Sequence, residues 1–197
     1  MRKLKLQLQI TLDGFIARPG GDQDWMIWDW DKELAAYTSR LTENVDQILL
    51  GRKLAGEFIP YWEKAAAKPD AEDYVKNFHK LPKMVFSRNL KKKDVEEKKW
   101  KYTRLATGEL AEEVKALKAV KGGDMIVYGG ANFVAGLLKE SLIDDYYFYI
   151  NPVAISTGLP VFHLLQQDLK LCLVESKGFD CGIVVNHYKN PVLNSMG

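Results

Sequence analysis

Apolar and polar residues alternate one for one from Lys3 to Leu12, KLKLQLQITL. A period of two puts successive side chains on opposite sides of an extended chain, so a strand with one buried face is expected here. The pattern then breaks at DGFIARPGG, where Gly14, Pro19, Gly20 and Gly21 mark a loop. From Asp31 to Leu41 the period lengthens. Leu34, Ala35, Tyr37, Thr38 and Leu41 recur at helical spacing, and acids fill the first turn. QILLG, Gln47 to Gly51, predicts a short buried strand. RKLAGEFIPYW predicts a helix that stops at Pro60, because proline lacks the N–H that continues the ladder. AEDYVKNFHKL predicts another helix, closed by Pro82, and KMVFS, Lys83 to Ser87, a strand.

The charged segment RNLKKKDVEEKKW predicts a solvated connector. Acids interleave its lysines and no aromatic ladder accompanies them, so a nucleic-acid surface is not expected. KYTRLA predicts a strand, Glu109 to Val120 an amphipathic helix, GGDMIVYGG a strand, and Ala131 to Leu138 a helix. Three strands follow, in DDYYFYINPVAI, LKLCLVESKGF and DCGIVVNHYK. The last two predict an antiparallel hairpin turning at Lys177 and Gly178. Strand and helix alternate first, and strands alone come last. That order predicts a three-layer α/β fold: a mixed, mostly parallel central sheet with an antiparallel C-terminal hairpin. No repeat or long linker divides residues 1–197, so a single domain is expected.

Composition narrows the partners. Lys plus Arg number 28 against 26 Asp plus Glu, so no global field draws the chain to nucleic acid or anionic lipid. No apolar run is long enough to span a bilayer, and the start does not have the form of a signal peptide, so a cytoplasmic location is expected. The two cysteines, Cys172 and Cys181, are too few for a disulfide framework. They could face each other across the hairpin, or be two reduced thiols, which is the expectation here. No CxxC or His/Cys cluster suggests a metal site, and none of the three histidines is assigned a catalytic role.

Ligands of such sheets bind beyond the carboxyl ends of the strands. Three predicted strand ends carry unusual residues. Gly129 and Gly130, followed by Ala131 and Asn132, join a strand to a helix. Paired glycines let backbone N–H groups approach an anion at a helix start. They also suit a tight turn beneath a helix, and the spacing is not GxGxxG. Gly51, Arg52 and Lys53 place two cations at a helix start, where the helix dipole disfavours them and an anionic ligand would not. Ser87 and Arg88 suit a second phosphate, and equally a strand cap with a solvent-facing arginine. Trp25, Trp28 and Trp30 crowd one loop-to-helix junction. They suit packing against the core or a dimer partner, and also a stacking wall for a planar ring.

TLDGFIA (Thr11 to Ala17), LLGRK (Leu49 to Lys53), KMVFSRNL (Lys83 to Leu90), VYGGANFVAGLL (Val127 to Leu138) and LIDDYYFYINPVAISTGLPVF (Leu142 to Phe162) occur in this order along nearly the whole chain. In that order and spacing the chain resembles the dihydrofolate reductase-like superfamily, and more closely the branch holding the C-terminal reductase domain of bacterial riboflavin biosynthesis. The resemblance implies an NADPH-dependent reductase. It implies that Gly129, Gly130, Ala131 and Asn132 meet the pyrophosphate, that Gly51, Arg52, Lys53, Ser87 and Arg88 meet the adenosine end, and that Ile16 and Ala17 line the nicotinamide. It also implies a carboxylate on the first helix that protonates the substrate ring, for which Glu33 and Asp31 are the candidates. The family often forms dimers, so a homodimer is expected.

Two departures bear on the substrate. Folate reductases carry an arginine for the glutamate tail just before the third strand, where this chain has Lys83. The riboflavin-pathway reductases commonly carry a lysine soon after the Asp-Gly of the first motif, where this chain has Phe15. A small pterin- or pyrimidine-like heterocycle without the glutamate tail is therefore the expected substrate. The alternatives are a nucleotide-binding module without catalysis and an interaction protein built on the tryptophan cluster.

Overall fold

In the computed structural model, which describes residues 1–191, eight strands form one sheet. The first strand, β1 (Leu4–Thr11), lies between β6 (Asp124–Val127) and β7 (Asp145–Asn151), parallel to both. Outward from β6 come β3 (Val45–Gly51), β4 (Lys83–Phe86) and β5 (Thr103–Leu105), all parallel. On the other flank, β10 (Val184–Lys189) pairs antiparallel with β7 and with the edge strand β9 (Cys172–Gly178). The expected three-layer, mostly parallel sheet with an antiparallel C-terminal hairpin is what forms.

Helices cover both faces. Leu4, Leu6 and Leu8 of β1 pack with Leu49, Met125 and Val127 beneath α5 (Leu110–Ala119) and α6 (Ala131–Lys139). On the opposite face, Ile48, Leu50, Val85 and Ile126 meet α2 (Arg52–Ala66). Leu34 and Tyr37 of α1 (Lys32–Thr42) pack on Tyr149, Ile183 and Val185. The alternation in β1 therefore does not leave one face in water. Gln7 and Gln9 are buried too, and Gln9 is satisfied by an amide donor from Asn151 at 3.0 Å.

Three local expectations are corrected. α2 runs through Pro60 to Ala66. A proline in a helix forfeits one hydrogen bond. Here apolar packing on both sides offsets that loss: Ile59 is fully buried, and Trp62 meets Phe78 at 4.4 Å between ring centroids. The basic connector contains a helical turn and a half, α4 (Lys92–Glu97), because Val95 and Trp100 are buried. The hairpin turns beyond Gly178, at Phe179–Gly182. There Phe179 and Ile183 are backbone-bonded and Gly182 takes φ 91°. Cys172 begins β9 and Cys181 lies in that turn, at opposite ends of the hairpin, and both are free thiols as expected.

A second, two-stranded sheet escapes the sequence pattern. It joins β2 (Phe15–Ala17) to β8 (Leu159–Pro160). Strands this short carry no period. The helix α3 (Asp73–Lys80) completes the set and lies against α2. No helix among the described residues is long and apolar enough to cross a membrane.

Candidate functional site

Parallel strands bring their carboxyl ends to one edge of the sheet. Along that edge the order is β4, β3, β6, β1, β7. Ser87 and Arg88 follow β4, Gly51 closes β3 ahead of Arg52 and Lys53, Gly129 and Gly130 follow β6, and Asp13 follows β1. At about 4.8 Å per strand, β4 to β7 spans roughly 19 Å. The strand-end residues named from the sequence are thus brought into one row.

Two helix starts stand side by side in that row. α2 begins at Gly51 and α6 at Gly130, and neither has a side-chain cap. Uncapped N–H groups and the helix dipole favour an anion. Gly129 and Gly130 take φ values of 146° and 88°, which side chains rarely tolerate. Gly51 is required for a different reason. A Cβ there would lie 2.8 Å from the Cβ of Phe133, in the first turn of α6. Its absence lets the two helix starts approach. Phe133 is held in turn by stacking on Phe86, 5.0 Å between centroids.

Arg52, Lys53 and Arg88 are exposed and form no ion pair among the described residues. Ser87 is half-buried, and its Oγ accepts from the amides of Asn89 and Leu90 at 3.1 and 3.0 Å. Ala131 is half-buried and Asn132 exposed. Ile16 and Ala17 are each 4% exposed, Ile16 within the main core. What they offer to the edge is backbone.

The two carboxylates of α1 differ. Asp31 caps the helix, accepting from the amide of Leu34 at 2.8 Å and from that of Cys181 at 3.0 Å. These amides, Leu34 first, hold its carboxyl below the usual range. Asp31 is therefore engaged by the backbone as a carboxylate. Glu33 is exposed and ion-paired to Lys177 at 2.6 Å.

Residues that the sequence reading undervalued tie the loops beside this edge. Asp13 does not bond its own turn alone. Its carboxylate takes the hydroxyl of the fully buried Thr11 at 2.6 Å and the amide of Ser156 at 2.7 Å. Asn151, also fully buried, accepts from the amide of Ile27 at 2.9 Å. That bond anchors the tryptophan loop at the end of β7. Trp30 stacks on Tyr149 at 5.7 Å, Trp25 is buried, and Trp28 is left 70% exposed. The signal for Asp13 and Asn151 was present only as polar residues at strand ends, and the loop partners Ser156 and Ile27 are more than a hundred residues away from them.

Lys83 is 1% exposed. Its ammonium donates to the carbonyls of His79 at 2.5 Å and Leu81 at 2.8 Å, closing α3, and burial pushes it down to about 8. Its ammonium is committed to the end of α3. Among the described residues no group of three His, Cys, Asp or Glu side chains is placed to hold a metal ion.

A family model described as the RibD C-terminal domain matches residues 2–185. The uncharacterized protein YyaP of Bacillus subtilis is 34% identical over 187 residues, 93% of this chain and 92% of YyaP. Among solved structures, a pyrimidine reductase-like protein from Corynebacterium diphtheriae aligns at TM-score 0.64 with 13% identity, over 95% of this chain and 91% of that one. A diaminohydroxyphosphoribosylaminopyrimidine deaminase/5-amino-6-(5-phosphoribosylamino)uracil reductase from Thermotoga maritima aligns at 0.66 with 16% identity, over 96% of this chain and 56% of that one. At these identities the solved structures establish a shared fold.

Proposed function

The chain belongs to the RibD C-terminal domain family, and from that membership we propose that it is an NADPH-dependent reductase of a small planar nitrogen heterocycle. One observation carries the reading: two uncapped helix starts, at Gly51 and Gly130, stand side by side, with the exposed Arg52 and Lys53, which form no ion pair among the described residues, in the first turn of one of them. That arrangement suits a pyrophosphate. Gly129, Gly130, Ala131 and Asn132 would cradle it from one side, with Gly51, Arg52 and Lys53 on the other. Ser87 and Arg88, one strand further out, would take the 2′-phosphate. The nicotinamide would then extend toward the backbone of Ile16 and Ala17, and the substrate toward the tryptophan loop. Hydride transfer is the cofactor's chemistry, and the protein supplies position and field. The proton donor is assigned to Glu33, which is free of the backbone amides that engage Asp31.

The expected result in calorimetry is tighter binding of NADPH than of NADH. A charge-assisted hydrogen bond is worth roughly 1.5–3 kcal/mol. Arg88→Ala should therefore weaken NADPH by about tenfold or more and leave NADH nearly unchanged. Equal affinities for both cofactors in the parent protein would oppose the reading. A catalytically silent nucleotide-binding module would bind NADPH and oxidise none of it with any pterin or pyrimidine tested.

Dihydrofolate is expected to be a poor substrate. Lys83 closes α3, so its ammonium is already committed to two carbonyls and is not free to pair with a glutamate tail. Steady-state NADPH oxidation with dihydrofolate, set beside a tail-less pterin, measures this. Turnover of dihydrofolate in the common enzyme range of roughly 1–1,000 per second, lost in Glu33→Gln, would place the protein among folate enzymes instead.

A homodimer is also proposed. β9 is an edge strand, and its Leu173 and Val174 are 59% and 48% exposed. An open apolar edge is a hazard for an isolated chain. Sedimentation should give twice the mass of 22.4 kDa at micromolar protein, and a monomer mass would count against pairing.

A further inference from the structure

A second constellation lies at the opposite edge of the sheet and plays no part in the proposed reductase site. β7 begins there at Asp145, while its other end, Asn151, belongs to the site described above. A groove of about 200 Å³ opens between the C-terminal half of α1 and the strands β7, β9 and β10. Its walls are Tyr37, Arg40, Leu41, Tyr147, Glu175 and His187.

His187 is 9% exposed and fixed on two sides. Its ring stacks on Tyr147, 4.1 Å between centroids and 11° from parallel. Its Nε2 meets the carboxylate of Asp145 at 2.7 Å. A carboxylate only accepts, so Nε2 carries a proton and Nδ1 is the ring's remaining polar atom. Nδ1 has no partner among the described residues. An oriented imidazole with one nitrogen held and the other open to a cavity is arranged to meet a ligand.

The charges around the groove are unevenly matched. Asp145 has Lys3 at 3.8 Å as well as His187, and Asp124 has Lys5 at 3.0 Å. Arg40 has no acidic partner among the described residues. Glu175 has no cationic one, and accepts only the hydroxyl of Tyr37 at 2.9 Å. The groove thus presents an unpaired guanidinium and an unpaired carboxylate to the same small volume. A simple anion would suit Arg40 but would be repelled by Glu175 and would meet only a lone pair at Nδ1, since the uncharged ring carries its N–H at Nε2. A ligand bearing both a carboxylate and an ammonium satisfies all three.

The geometry points to a binding site for a small amino carboxylate in this groove. Its carboxylate lies on Arg40, its ammonium donates to Glu175 and to Nδ1 of His187, and its side chain lies against Tyr37, Leu41 and Tyr147. The site stands whether or not the opposite edge binds a dinucleotide.

The chain has three histidines, so its imidazole Cε1–H signals are few enough to follow singly by NMR. Leucine, glycine and acetate are titrated into the intact protein, with His187→Gln used to assign its signal. The expected result is a saturable shift of the His187 signal with leucine, a weaker one with glycine, and the signals of His79 and His163 unmoved. Acetate should bind at least about tenfold more weakly than leucine, and Arg40→Ala and Glu175→Gln should each weaken leucine about tenfold. Both changes are at exposed positions, and unchanged denaturation midpoints would show that the fold is kept. Shifts that rise without saturating, acetate equal to leucine, or variants that bind like the parent would each overturn the site.

Discussion

Gly51→Val is expected to abolish NADPH binding and to lower the denaturation midpoint together. A Cβ at this position would lie 2.8 Å from that of Phe133, closer than side-chain carbons approach. Phe133 has little room to yield, because Phe86 stacks on it at 5.0 Å. Forcing extra carbons into a filled contact costs about 1–3 kcal/mol. The contact yields instead by parting the starts of α2 and α6, and the paired N–H groups then no longer converge on one anion. Urea denaturation and NADPH calorimetry on the same preparation measure both effects. Gly56→Ala is the control. It lies within α2 with nothing within 4 Å of the added methyl, and it should stabilise by about 0.4–1 kcal/mol while leaving the cofactor alone. A Gly51→Val protein that binds NADPH like its parent would separate the glycine from the cofactor.

Asp145→Ala is expected to cost about 1–3 kcal/mol at neutral pH, the range for leaving a buried donor without its partner. Asp145 is 3% exposed and holds His187, and removing it strands the imidazole. Burial alone would raise its carboxyl. The hydrogen bond from His187 and the charge of Lys3 outweigh burial and hold it below the usual range. A carboxylate whose folded pKa is depressed contributes stability above its unfolded value, near 4, and loses it as pH falls through the folded one. The gap in urea midpoint between parent and Asp145→Ala should therefore be full at pH 7 and narrow below about pH 4. A gap that stays constant from pH 7 to pH 3 would mean that the side chain acts by packing and not by charge.

The strands and helices with long, regular patterns were legible before any coordinates. KLKLQLQITL, QILLG and MIVY carry a period or an apolar run that local physics suffices to interpret. The glycine pair was legible as well, because a junction of strand and helix at Gly129 and Gly130 demands backbone angles that few residues take. α2 was misjudged at Pro60, because the local cost of a proline says nothing of Trp62 meeting Phe78 on its far side. Val95 and Trp100 were hidden within a run of lysines, since two buried residues make no period.

The site divides along the same line. Residue types alone marked Gly51, Arg52, Lys53, Ser87, Arg88, Gly129 and Gly130, since glycines and cations at strand ends are chemically unusual wherever they point. Residue type could not separate Asp31 from Glu33. Both are acids in one helix start, and folding brings each a distant partner, the amide of Cys181 to Asp31 and the ammonium of Lys177 to Glu33. Lys83 became a helix cap by the same kind of arrival. By itself the sequence determined the order of elements, the parallel core of the sheet and the edge at which ligands are expected, because periodicity and backbone preference act between near neighbours. Only the tertiary structure decided which polar side chains are committed and which stay open. Asp13 with Ser156, Asn151 with Ile27 and His187 with Asp145 are pairs made by folding, and separation along a chain carries no record of contact in space.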